Sequence, residues 1–269
     1  MSYDKIVIPE LGVFSTGLLI PASRDTVFSQ IPLPVLTKEE AIELLKDRQP
    51  RQEIFDSSWI KNQNGIGACA GYAAASAVER ARWFSGQEYI ELSGDGIYAA
   101  VNGGRDSGST LEANMRWLTD NGVPPANLVP RHEYRKNRIP REAYEEAKKF
   151  RGFETYFIDS EMEIVTALLN DFPVVVAVHA GNGGLSPDGI SDWRNGPGNH
   201  SVVVDDVRFY REEFQFQTAN SWGTKWGVDG RAWLTWNKHL STPIKYHRFY
   251  VIRAATRNHD EPQPPEALA

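Results

Sequence analysis

The spacing of apolar positions divides the chain near Gly152. Before it, apolar residues fall into helix-length blocks, and after it they gather in short β-branched runs. Residues 1 to 36 carry short apolar clusters broken by Pro9, Pro21, Pro32 and Pro34, the pattern of an extended arm lying on a larger body. Thr37 to Glu40 reads as a capping box that opens a helix running to Lys46 or Asp47. The run from Gly71 to Trp83 is alanine-rich and free of proline, as a buried helix would be, and is expected to end near Gly86. A further capping box at Ser109 to Glu112 opens a helix carrying Leu111, Met115, Trp117 and Leu118, which stops at Asn121-Gly122. Pro140 opens a charged helix to Phe150, and Ser160 with Glu163 caps another to about Asn170. Strands are expected at 153–158, 173–179, 200–209, 214–218, 231–236 and 247–252. Helices first and strands afterwards read as an α+β fold of two lobes, and a cleft between lobes is a usual place for a site. The expected divisions are an arm or short pro-region over 1–50, a main domain over 51–256 and a flexible tail over 257–269.

Composition narrows the class. The 269 residues suffice for one large domain or two packed lobes, and 41% hydrophobic with 24% charged residues is ordinary for a folded globular protein. The net charge of −6 and the absence of any Lys/Arg-rich run argue against a nucleic-acid partner. No stretch reaches the roughly 18–20 apolar residues of a membrane span. The apolar patch from Leu11 to Ala22 is broken by Ser15, Thr16, Gly17 and Pro21 without a positive flank, so neither a signal peptide nor a membrane partner is expected. A single cysteine cannot form an internal disulfide, which suits a reducing compartment and a cytoplasmic location. One cysteine and scattered histidines provide no zinc-type ligand spacing, and no phosphate or dinucleotide glycine pattern stands in strand-to-helix context, so neither metal nor cofactor is expected.

The one cysteine, Cys69, ends a glycine-rich segment and precedes the alanine-rich run, which places it at a helix N-terminus. Unpaired N–H groups and the helix dipole there favour a thiolate. On its own a lone cysteine reads first as a small buried apolar residue, which only partners elsewhere in the chain overturn. Six histidines are available, and His200 stands apart: it begins the run His200-Ser201-Val202-Val203-Val204 after a Gly/Asn turn, at the mouth of a strand. Asn220 follows another strand, and its side-chain oxygen is able to accept from an imidazole and fix the ring for proton transfer with a thiol. His200 and Asn220 stand 131 and 151 positions after Cys69.

These residues resemble the papain-like cysteine peptidases, the papain and cathepsin group, in which His and Asn follow the nucleophile by about 130–150 residues. Gln63 looks like the family's oxyanion glutamine, Asn220-Ser221-Trp222-Gly223 like the segment around its asparagine, and Asn102-Gly103-Gly104 like the loop that pairs with bound peptide. The similarity covers roughly residues 54 to 252 in matching order. It implies a papain-like two-lobed fold with a helical N-terminal lobe and an antiparallel C-terminal sheet. It further implies hydrolysis of peptide or protein substrates by Cys69, His200, Asn220 and Gln63 through a thioester, with Gly103, Gly104 and Trp222 at the substrate and the N-terminal arm as a self-inhibitor. Ile66 and Val101 stand at two positions that the family commonly links by a disulfide, where an apolar contact is the expected replacement. Ala70 replaces a tryptophan, which is expected to open space beside the nucleophile. Asp205 and Asp206 stand where the family is apolar and glycine-rich. Two competing readings are a catalytically silent papain-like module and an amidase or transglutaminase on a related scaffold. The Asn-Ser-Trp-Gly segment speaks against the second.

Overall fold

The computed structural model describes residues 5–8, 11–23, 27–151 and 153–254, so the expected tail lies outside the described residues. The arm begins as a hairpin of β1 (Lys5–Ile8) and β2 (Gly12–Ser15), an element that the broken apolar clusters did not announce. It then runs to the edge of the main sheet, where Ile31 donates to the Phe157 carbonyl and Phe157 to that of Ser29. Helix α1 (Lys38–Leu45) follows, with both halves of the Thr37/Glu40 capping box made. The part of the arm after residue 27 is fastened by Ile31 and Ala41 in the core, by Gln30 on Glu163 and by Arg48 on Asp206.

The first lobe is built on α2 (Cys69–Phe84), whose residues from Cys69 through Ala81 are all buried. Its alanines let the helix lie close to its neighbours without large side chains between them. Helix α3 (Gly94–Val101), capped by Ser93, escaped the sequence reading because Gly94 and Gly96 depress helix propensity. The glycines serve packing instead: a Cβ on Gly71 would lie 2.5 Å from the Gly94 carbonyl oxygen, and one on Gly94 would lie 2.6 Å from Tyr72. Helix α4 (Leu111–Asn121) starts one residue later than its capping box suggested. Thr110 is the cap, because the Ser109 hydroxyl accepts from Asn114 and the Ser109 backbone is engaged by the arm. Helix α5 (Arg141–Ala147) completes this lobe.

The second lobe is a six-stranded antiparallel sheet of order β3-β8-β4-β5-β6-β7: β3 (Phe153–Ile158), β4 (Val174–Val178), β5 (His200–Tyr210), β6 (Glu213–Ala219), β7 (Arg231–Thr235) and β8 (Phe249–Ala254). Helix α6 (Glu161–Leu169), capped by Ser160, and the short α7 (Pro243–Tyr246) pack against it. The six expected strands all form, with ends shifted by at most two residues. Helix α2 lies against β4, β5 and β8, so the helical lobe meets the sheet through its central helix. The architecture is α+β with two lobes, and the N-terminus of α2 faces the start of β5.

Candidate active site

Cys69 is the first residue of α2, as its glycine-rich approach implies, and it is completely buried. Burial outweighs the helix N-terminus. The thiol is pushed up to about 12 by desolvation, against a smaller opposite effect from the backbone N–H groups of Ser201, Ala70 and Cys69 itself. The expected thiolate is therefore not the form present in this closed arrangement.

His200, the first residue of β5, is also fully buried. Its Nε2 lies 2.8 Å from Asn220 Oδ1, and the same oxygen accepts from the Ser221 backbone N–H at 2.8 Å. Since that backbone group donates only, the Asn220 atom is an oxygen, Nε2 carries the proton, and the neutral ring keeps its lone pair on Nδ1. Nδ1 has no hydrogen-bond partner, so the sulfur–imidazole hydrogen bond is not made here. Burial pushes the His200 imidazole down to about 4, opposed by the Asn220 hydrogen bond. Trp222 lies over the ring at 4.7 Å, and Trp193 and Trp226 complete an aromatic wall, with Trp193 edge-on to both His200 and Trp222. Trp193 had no motif around it and was not foreseen.

Gln63 is held with its amide pointing in a defined sense. Its Nε2 donates to the Ile66 carbonyl at 2.7 Å and to the Ser15 carbonyl at 3.1 Å, while Oε1 accepts from Ser221 Oγ at 2.6 Å. The Ser15 carbonyl also accepts from Trp222 Nε1 at 3.3 Å, and Phe14 stacks on the Trp222 ring at 4.9 Å. A peptide carbonyl of the arm thus sits on the amide that the resemblance assigns to an oxyanion.

The arm crosses the cleft and bonds to both walls. Gly17 and Leu18 donate to the Asn199 carbonyl at 3.2 and 3.0 Å, Leu19 to that of Ser109 at 3.0 Å, and Ser109 to that of Gly17 at 2.9 Å. Ser15 Oγ donates to the Gly65 carbonyl at 2.5 Å. Gly17 has φ of +127°, and a Cβ there would lie 2.3 Å from the Gly67 carbonyl oxygen, so only glycine lets the arm press onto the loop before Cys69. Ser15 through Leu18 are buried in this seat.

The structure bears on three expectations about the cleft. Gly103 and Gly104 are exposed, with nothing within 4 Å of a Cβ added at either, and Asn102 Oδ1 closes the turn by accepting from Gly104 N–H at 2.7 Å. The backbone that pairs with the arm in the cleft is Ser109, next to Gly108. The link between the nucleophile loop and this wall is likewise polar. Asp106 Oδ1 accepts from Gly67 N–H at 2.9 Å and from Tyr98 OH at 2.8 Å, while Ile66 packs with Ala68, Tyr72 and Tyr98 and not with Val101. Ala70 is fully buried, so no space opens beside it. Among the described residues no group of three or more His, Cys, Asp or Glu side chains is arranged to hold a metal ion.

The sequence pattern described as papain family cysteine protease matches residues 47–252. Human cathepsin O is 31% identical over 186 residues, covering 64% of this chain and 56% of its own length, so the chain spans little more than half of that relative. Xylellain, a cysteine protease from Xylella fastidiosa, shares the fold with a TM-score of 0.61 at 18% identity, covering 95% of this chain and 98% of that one. The procathepsin B S9 of Trypanosoma congolense has a TM-score of 0.60 at 16% identity, covering 90% and 87%.

Proposed function

Because the chain belongs to the papain family of cysteine proteases, we propose that it is a cysteine endopeptidase held closed by its own residues Phe14 to Leu19. Cys69 is the nucleophile, His200 the general base and acid, Asn220 the group that orients the imidazole, and Gln63 with the Cys69 N–H the oxyanion donors. The observation that carries this reading is the Ser15 carbonyl seated 3.1 Å from Gln63 Nε2, a peptide oxygen on a donor whose direction is fixed by Ser221.

Displacing the arm admits water and removes the desolvation that keeps thiol and imidazole neutral. The thiol proton passes to His200 Nδ1, the thiolate attacks the scissile carbonyl carbon, and the oxyanion takes donors from Gln63 and Cys69. The tetrahedral species expels the amine, which leaves with the proton from His200, and a thioester remains. His200 then takes a proton from water as hydroxide adds to the thioester, and collapse returns the thiol and releases the acid. Trp222 shields the His200–Asn220 hydrogen bond from solvent. The proforms among the similar structures suit a chain that blocks itself.

A catalytically silent module is favoured by one observation, a sealed Cys69 together with a His200 Nδ1 that has no hydrogen-bond partner. Gly17→Val in the full chain separates the two readings, because the added side chain meets the Gly67 backbone and unseats the arm. Each 1.4 kcal/mol lost from the seat raises the open fraction about tenfold. Peptide hydrolysis is expected to rise at least that much over wild type and to vanish when Cys69→Ser or His200→Ala is added. A folded Gly17→Val chain with no hydrolysis of a peptide library supports the silent module.

A further inference from the structure

Asp205 and Asp206 stand in a buried strand, where carboxylates are rarely found unless paired. The β5–β6 register passes from Val204 opposite Thr218 to Asp206 opposite Gln217, so Asp205 is the extra residue of a β-bulge. The two carboxylates have separate partners. Asp206 takes Arg48 Nη1 at 2.6 Å and the Arg51 N–H at 2.8 Å. Asp205 reaches α2: its Oδ2 accepts from Arg80 Nε at 2.5 Å, and its two oxygens lie 3.0 and 3.2 Å from Arg231 Nη1. The Arg80 and Asp205 side chains are fully buried. Arg80 Nη1 also donates to the Ser76 carbonyl at 3.1 Å and Arg231 Nη2 to that of Phe55 at 2.9 Å, which fixes both guanidinium planes.

Arg80 stands 11 residues beyond Cys69, about 16 Å along a helix at 1.5 Å per residue. Asp205 stands five residues beyond His200, about 16 Å along a strand at 3.3 Å per residue. Helix α2 and strand β5 pack together, with Cys69 and His200 as their first residues. The nucleophile and base therefore occupy one end of an interface whose other end is joined by a buried ion pair. Between the ends the helix carries the buried Ala73, Ala74, Ala77 and Val78 and the strand the buried Val202, Val203 and Val204, apolar side chains with no directional contacts of their own. A carboxylate gripped by two guanidinium groups is directional. Stability alone gives little reason for such a triad, since replacing a buried ionic triad with well-packed apolar residues is often neutral or stabilising.

We propose that Arg80, Asp205 and Arg231 are positioning residues for Cys69 and His200: they fix the register of α2 on β5, and with it the placement of sulfur against imidazole. This inference rests on the peptidase reading, and its test is chosen to be separable from that reading. The parent is the full chain with Gly17→Val. On it are built Asp205→Glu, which keeps the charge and moves the carboxylate by one methylene, and the triple variant Arg80→Met/Asp205→Leu/Arg231→Met, which removes the three charges together. In both, kcat is expected to fall roughly 10- to 100-fold, the cost of a displacement of about 1 Å, with KM within about twofold of the parent. The pH profile of Cys69 alkylation by iodoacetamide is expected to move toward the free-thiol value of about 8.5, while the triple variant keeps the parent's melting temperature or exceeds it. Parental kcat and a parental alkylation profile in either folded variant overturn the proposal, whatever the melting temperature does. Alkylation needs no peptide hydrolysis. A parent that alkylates readily yet cleaves nothing counts against the peptidase reading, and the variants' alkylation profiles still decide the positioning role.

Discussion

At the scale of single residues, burial decides which protons are carried. His200 is held at about 4 in the closed chain against an ordinary 6.5, so between those values the closed state binds fewer protons than an open one and weakens as the pH falls from about 6.5. Cys69, pushed up to about 12, acts on the other limb: above the ordinary thiol value of about 8.5 the closed state binds more protons than an open one and weakens as the pH rises. The seat is therefore tightest in a window bounded on the acid side by His200 and on the alkaline side by Cys69. Trp222 fluorescence, which reports the Phe14 stack, is expected to show opening on both sides of that window, and His200→Gln to remove the acid limb. A second expectation concerns Gln63. In the Gly17→Val chain, Gln63→Ala is expected to lower kcat by about 10²- to 10³-fold with KM little changed, as loss of an oxyanion donor does. Cys69, His200 and Asn220 stood out as candidates because their types and separations form a pattern, and Gln63 joined them through the family resemblance. Asp106 did not, since a lone aspartate in a Gly/Ser-rich loop has no pattern, and its hold on Gly67 and Tyr98 exists only once the loop is folded. The ionisation of Cys69 was misread for the same reason: helix position is local, whereas desolvation depends on what lies above it.

At the scale of elements, the arm has two parts with different attachments. Residues beyond 27 are bound to the sheet edge, to α6 and to Asp206, whereas Phe14 to Leu19 are held by backbone hydrogen bonds across the cleft, by the hydrogen bonds of Ser15 with Gln63, Trp222 and Gly65, by the burial of Leu18 and by one aromatic stack. The first set suits a permanent belt and the second a plug that is able to leave. Phe14→Ala removes the stack on Trp222, worth about 0.5–1.5 kcal/mol beyond burial, so Cys69 labelling in the full chain is expected to quicken by about 2- to 10-fold. Gly17→Val is expected to exceed it, because it opposes backbone contact instead of removing an attraction. The ends of β3 and the caps of α1 and α6 were readable from the β-branched runs, Thr37 and Ser160, since those signals are local. The β1–β2 hairpin and α3 were not readable. The hairpin has no turn signature strong enough to stand out among prolines, and α3 spends Gly94 and Gly96 on contact with α2 and on Pro124.

At the scale of the whole molecule, two lobes meet through α2 and β5, and the arm lies over the seam. The change from helical blocks to β-branched runs made the α+β division visible, and the separations of Cys69, His200 and Asn220 implied that distant segments converge. The arm was expected as a self-inhibitor, but which of its residues cover the convergence was not visible, because Ser15 to Leu18 become a plug only when Gly17 meets Gly67 and the Ser15 carbonyl meets Gln63. The central claim is an assembled peptidase site shut by its own chain. Titration with an epoxide thiol reagent tests it most directly, with adducts mapped by mass spectrometry and residual peptide hydrolysis followed in parallel. One equivalent on Cys69 is expected to abolish hydrolysis in Gly17→Val within a time that leaves most of the wild-type chain unlabelled. Equal and negligible labelling of both chains, or full labelling of Cys69 with hydrolysis undiminished, would contradict the account.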